Sequence, residues 1–209
     1  MARGRLISLE GGEGVGKSTQ IAALAHALEG RGLSVLVTRE PGGSPGAEAI
    51  RQLLLEGEEG RWSPRAEALL FAAARSDHID KTIQPALDRG SWVLSDRFLD
   101  SSLAYQGEAG GLGIDAVRDL HRFGSLDFLP DRTLVLALDG GEGALRARAR
   151  DGTPGDRIGA RPPNYHAAVD AGFRAMAANE PDRVRLIEAD GSAATVTARL
   201  LYALGDLLP

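Results

Sequence analysis

A short apolar run, RLISLE at 5–10, leads through GGEGVGKST at 11–19 into the alanine-rich segment QIAALAHAL at 20–28. The middle stretch meets G-x-x-x-x-G-K-[ST] at every fixed position, with Gly11, Gly16, Lys17 and Ser18. Glycine lets the backbone take φ > 0 and come close to a ligand. The loop N–H groups can then point into one concavity and hold phosphate oxygens. A helix starting near Lys17 adds its positive end. The run before the loop reads as a buried strand and the run after it as a helix. The whole loop, Gly11, Gly12, Glu13, Gly14, Val15, Gly16, Lys17, Ser18 and Thr19, is therefore expected to bind a phosphate chain, with Lys17 on its outer phosphates and Ser18 on Mg²⁺.

Short runs rich in Val, Leu and Ile recur at 6–10, 34–38, 92–96, 133–139 and 184–187, separated by helical patterns. That alternation predicts an α/β chain with a doubly wound, five-stranded parallel sheet flanked by helices, of the P-loop NTPase type. Gly30 is expected to end the first helix as a C′ glycine. Ser63-Pro64 reads as an N-cap with proline at N1, opening a helix to about 79. A last helix is expected over 193–204. Two glycine-rich polar stretches, 106–113 and 140–163, read as surface loops, and the second suits a mobile lid.

The 209 residues suit one domain with a sizeable core. A net charge of −5 argues against general nucleic-acid binding, which needs a basic face. The chain has no cysteine, so it has neither disulfides nor a thiolate metal site. The scattered histidines (His26, His78, His121, His166) read as ordinary surface or core residues. No apolar run approaches the ~20 residues that span a bilayer, so the expectation is a cytoplasmic protein without a membrane partner. No N-K-x-D guanine-reading run occurs, which leaves a small kinase as the reading of the loop.

The run WVLSDRFLDSSLAYQG at 92–107 resembles the D-R-[YFH]-x-x-S-x-x-A-Y-Q-G signature of bacterial thymidylate kinases. TREPGG at 38–43 and LFAAAR at 70–75 resemble two further motifs of that family, and the loop is similar to its bacterial form. The resemblance covers about residues 6–190. It implies Mg²⁺-dependent transfer of the ATP γ-phosphate to dTMP, giving ADP and dTDP, a step of dTTP synthesis. It also implies a homodimer, for which 66–74 and 116–123 are candidate faces. Another P-loop nucleotide kinase and a catalytically impaired nucleotide-binding regulator stay open as alternatives.

Phe71 and Arg75 are four apart and share a helix face. The resemblance makes them the stack and the edge contact for thymine. It assigns Arg39 and Arg97 to the acceptor phosphate, and Asp96 to Mg²⁺ alongside Ser18. Ser102 faces the base, Tyr105 crowds the sugar 2′ side and Gln106 lies beside the pocket; Pro41 and Ser101 complete the substrate set. Glu13 contacts the sugar 3′-OH. The acceptor pocket thus comprises 39–43, 71–75 and 96–107. The Glu40–Pro41 bond is cis in relatives, with trans the ordinary alternative.

Gly14 stands where some relatives carry a loop arginine, so the chain resembles the class that draws arginine from a lid at about 141–163. Arg146, Arg148, Arg150 and Arg157 are its candidates, of which Arg148, Arg150 and Arg157 join Lys17, Glu13 and Arg97 as the expected catalytic set. The lid departs from the family at Gly159, where a glutamate is usual, and at Asp170, where an arginine is common. Pro162-Pro163 should delay the following helix to about Asn164.

Overall fold

A computed structural model describes residues 3–58, 60–138 and 157–209. Its five strands, β1 (Leu6–Glu10), β2 (Val35–Arg39), β3 (Trp92–Asp96), β4 (Arg132–Ala137) and β5 (Val184–Glu188), form one parallel sheet in the order β2-β3-β1-β4-β5. The helices are α1 (Lys17–Glu29), α2 (Pro45–Leu55), α3 (Pro64–His78), α4 (Gln84–Asp88), α5 (Leu99–Ser102), α6 (Ile114–Ser125), α7 (Pro163–Asn179) and α8 (Ala193–Ala203). A π-helical turn, Ile79–Ile83, joins α3 to α4, and a second one, Leu103–Ala109, extends α5.

β1 lies at the centre because both of its faces and both of its edges are used. Ile7 and Leu9 point to the layer of α1 and α8, where they meet Leu24, Leu28 and Leu200. Leu6 points the other way, into a core with Phe98, Leu103 and Phe173. The two-residue period of a strand puts Ser8 and Glu10 on Leu6's side. Ser8 is satisfied there by a 3.0 Å hydrogen bond to Thr133 Oγ1. The register pairs Leu9 with Asp96 and Asp96 with Arg39, so three strands end together on the carboxyl edge. Open α/β sheets bind ligands at this edge.

Ser63 caps α3 by accepting from Ala66 N, with Pro64 at N1. β2 runs one residue later than the expected 34–38, and four further expectations shift. Gly30 caps α1 in the right-handed region, and it is Gly32 that takes φ +83°. β4 starts one residue early, while Asp139 of the expected strand 133–139 lies outside the described residues. α7 begins at Pro163, because proline fits the first helical position, where its missing N–H is not needed. The expected loop at 106–113 is partly helical. Gln106 and Gly107 are buried in the π-helical stretch, where Gly172 of α7, lacking a side chain, lets Ala104 and Glu108 come close.

Phe173 is fully buried between α7 and the sheet. Phe173→Ala should cost about 3–5 kcal/mol of unfolding free energy, measured by urea denaturation.

Candidate active site

The phosphate loop is shaped by steric exclusion. Gly11 has φ +129°, and a Cβ there would sit 2.4 Å from Leu136 O. Gly16 is left-handed, and α1 begins after it with no side-chain cap. Its first N–H groups are thus left for an anion. Lys17 is buried and donates to Gly11 O (3.0 Å) and Gly12 O (2.8 Å). Burial, followed by the Arg97 charge, lowers the Lys17 pKa to about 8.

Arg97 is the pivot of the site. It follows β3 at φ +71°, and its backbone N–H donates to Leu9 O. Its guanidinium reaches Glu13 Oε1 (2.7 Å), Gly11 O (3.2 Å) and Ser101 Oγ (3.1 Å), and lies over the Tyr105 ring at 5.0 Å. Burial raises the Glu13 pKa, but Arg97 and Lys17 outweigh it and hold the carboxyl below its ordinary range.

Behind this sits Glu10, fully buried. It accepts from Phe98 N (2.7 Å) and Ser101 Oγ (2.6 Å). Burial, reinforced by the Asp100 charge, raises its pKa to about 8. Asp100 in turn is held by Thr133 Oγ1 and a two-pronged pair with Arg183.

Further along, the buried Arg75 donates to Glu40 Oε2 (2.7 Å), Ser102 Oγ (2.8 Å) and Phe98 O (3.2 Å). Glu40 also meets His78 Nδ1 (3.1 Å), whose other ring nitrogen meets Thr38 Oγ1. The Glu40–Pro41 peptide is cis. Arg39 is exposed and paired with Glu48. Arg51 of α2 donates to Pro41 O (2.7 Å).

One cleft gathers most of the expected residues. It is lined by Glu13, Gly14, Gly16, Lys17, Ser18 and Asp96 around the phosphate loop, by Arg39, Pro41, Phe71, Arg75, Ser102 and Tyr105, and by Arg97, Ser101 and Gln106. Gly11, Gly12, Val15 and Thr19 support the loop without lining the cleft. Arg157, expected at the donor phosphates, is held elsewhere. It is buried, with Nε on Leu54 O and Nη2 2.6 Å from Glu67 Oε2, because the buried Glu67 carboxylate attracts it. Arg146, Arg148 and Arg150 lie outside the described residues. At the departures from the family pattern, Gly159 O meets His166 Nε2 and Asp170 pairs with Arg174.

Arg51, Leu55 and Ile158 also line the cleft without having been expected there, as do Glu40 and Phe98, which fell inside the expected pocket segments but were given no contact of their own. Glu40 stood inside a quoted motif but was read only for its peptide bond. Arg51 carried no local signal.

The site fits a magnesium ion. Asp96 Oδ1 is a buried carboxylate oxygen without a hydrogen-bond partner among the described residues, and Ser18 shares its cleft. No cluster of three or more His, Cys, Asp or Glu forms a metal cage among the described residues. One carboxylate, one hydroxyl and substrate phosphates is the sparse donor set that Mg²⁺ accepts.

A model of the thymidylate kinase family matches residues 9–200. The chain belongs to the thymidylate kinase family. It is 59% identical over 206 residues to the thymidylate kinase of Rhizorhabdus wittichii, covering 99% of both chains. It is 48% identical over 210 residues to that of Bradyrhizobium diazoefficiens, covering 99% of this chain and 92% of the relative. The crystal structure of thymidylate kinase from Ehrlichia chaffeensis superposes with a TM-score of 0.77 at 30% identity, covering 97% and 99% of the two chains. The family's fold accords with the parallel five-stranded sheet.

Glu10 predicts a pH dependence of stability. Its pKa is about 8 folded against 4.5 for the free side chain, so the folded chain binds the extra proton. The stabilisation is complete below the unfolded pKa and is lost as pH rises through about 8. In urea titrations between about pH 6 and pH 9, the wild type should lose stability relative to Glu10→Gln as pH rises; parallel profiles would contradict this assignment.

Proposed function

We propose that the chain transfers the γ-phosphate of ATP to dTMP, giving ADP and dTDP, as its family membership implies. The observation that carries the reading is a single cleft that joins Lys17 and the phosphate loop to Phe71 and Arg75. Thymine stacks on Phe71, and Arg75, already fixed by Glu40 and Ser102, addresses its edge. Tyr105, its ring under the Arg97 guanidinium, stands at the sugar. Arg97 and Arg39 grip the 5′-phosphate with charge-assisted hydrogen bonds.

The attacking group is a phosphate oxygen whose second pKa is about 6, so it is mostly ionised at neutral pH and needs no general base. What the reaction asks of the protein is alignment and positive charge in a water-poor site. Lys17 supplies part of that charge once its bonds to the Gly11 and Gly12 carbonyls are exchanged for phosphate oxygens. Glu13 holds Arg97 and stands near the sugar 3′-OH. Ser18 and Asp96 would hold Mg²⁺, which would supply neutralisation of the charge developing on the donor phosphates. Arg148 and Arg150 are assigned to the donor side of the lid. The 209 residues act as one cytoplasmic domain; among the described residues no helix is long and apolar enough to cross a membrane.

The acceptor test is ADP formation with ATP, Mg²⁺ and each of dTMP, dUMP, UMP, dCMP and AMP. The expected order is dTMP first, dUMP second and UMP poor. No turnover with any acceptor, while ATP still binds, would indicate the regulatory alternative; preference for AMP or dCMP would indicate another nucleotide kinase. Phe71→Ala should remove a stacking contact worth about 1–3 kcal/mol, raising the KM for dTMP with little change for ATP.

The homodimer is assigned to α3 and α6. Support comes from the apolar side chains left exposed there: Leu69 at 55% and Phe123 at 91%, with Leu126 at 89% just beyond α6. Such a patch marks an interaction surface. Phe123→Glu should turn a dimer into a monomer in sedimentation velocity, and an unchanged wild-type and variant mass would refute this interface.

A further inference from the structure

Glu67 lies in the first turn of α3, one turn before Phe71 and two before Arg75, on the same stripe of the helix. It does not line the cleft. Its carboxylate is buried and receives hydrogen bonds from three side chains. Gln106 Nε2 donates to Oε1 (3.0 Å), Arg161 Nη2 to both oxygens (2.9 and 2.7 Å), and Arg157 Nη2 to Oε2 (2.6 Å). The partners carry the connection onward. Arg157 Nε donates to Leu54 O at the end of α2 (2.9 Å). Arg161 Nη1 donates to Tyr165 Oη, and Tyr165 Oη donates to Tyr105 O (2.6 Å).

Four segments of chain thereby meet at one carboxylate: the end of α2, the start of α3, the π-helical stretch after α5, and the turn at 157–161 that leads into α7. Each sends a residue to the cleft wall, namely Leu55, Phe71, Tyr105 with Gln106, and Ile158. Charge neutrality asks for a single arginine. The second arginine attaches a further segment, and the neutral Gln106 adds another. The phosphate loop makes no hydrogen bond to this cluster among those described.

We infer that Glu67 is a positioning residue for the acceptor nucleotide: with Arg157 and Arg161 it fixes the wall around the base stacked on Phe71. In this role Arg157 works on the acceptor side of the site. The inference rests on reading the cleft as the dTMP site. A carboxylate that merely held the fold together would affect both substrates alike; a wall-positioning one affects the acceptor.

The test uses the full chain as wild type, Glu67→Gln, Arg161→Gln and the double variant, with dTMP and ATP each varied in turn and thermal unfolding recorded alongside. Wild-type turnover of dTMP comes first; its absence would overturn the reading on which the inference stands. Given that turnover, Glu67→Gln should raise the KM for dTMP about tenfold or more and leave that for ATP within about twofold. It should also reduce the preference for dTMP over dUMP. Arg161→Gln should act in the same direction with a smaller effect. The double variant should be no worse than Glu67→Gln, because both changes act through one cluster. An equal loss for both substrates, an unchanged KM for dTMP, or simple additivity would overturn the inference. Should Glu67→Gln fail to fold, Arg161→Gln carries the same KM comparison alone, since its side chain is partly exposed and Arg157 and Gln106 still hold Glu67.

Discussion

β1 is hydrogen-bonded on both sides and buried on both faces, and this fixes where everything else can stand. Its pairing with β3 brings Asp96 level with Leu9, and the β2 pairing brings Arg39 level with Asp96. The chain leaves β1 at Gly11, whose carbonyl faces both Lys17 and Arg97. A side chain at Gly11 would collide with Leu136 O in β4. The loop therefore has to pass close to the sheet edge, which sets Lys17 in the same cleft as Arg97.

The same strand reaches the far wall of the cleft through Glu10. By strand alternation its carboxyl falls on the side of α5, where it ties down Phe98 N and Ser101 Oγ. Ser101 accepts from Arg97, so the left-handed residue after β3 is held at both ends. Buried charge is compensated throughout this region: Glu40 by Arg75, Asp100 by Arg183 and Glu67 by Arg157 and Arg161. Against an apolar replacement, buried pairs add little net stability, but losing one partner strands a charge at a cost of about 3–5 kcal/mol. Their effect here is to tie together segments that carry cleft-lining side chains.

The stripe of α3 that carries Glu67, Phe71 and Arg75 shows how far sequence could be read. Phe71 and Arg75 were legible because helical spacing alone puts them on one face. Glu67, one turn earlier, has the same spacing but reads as an ordinary acidic residue in a first turn, favoured there by the helix dipole. Its partners Arg157 and Arg161 stand 90 and 94 residues away, and separations of that size leave no local pattern. Arg51 and Leu55 were invisible for the same reason. Arg157 was legible as a cation in a lid, but the carboxylate that holds it was not.

Sequence by itself determined the phosphate loop, the alternation of strands and helices, the cap at Ser63 with Pro64 at N1, and the family's motifs. These are short-range properties: backbone freedom at glycine, side-chain period and N-cap hydrogen bonding each act over a few residues. Tertiary structure alone decided the strand order, the burial of Gln106 in a π-helical stretch, the raised pKa of Glu10 and the arginines gathered on Glu67. Those outcomes arise from packing and desolvation among segments distant in the chain, where the energy of one residue is set by neighbours that its own surroundings in the sequence do not name.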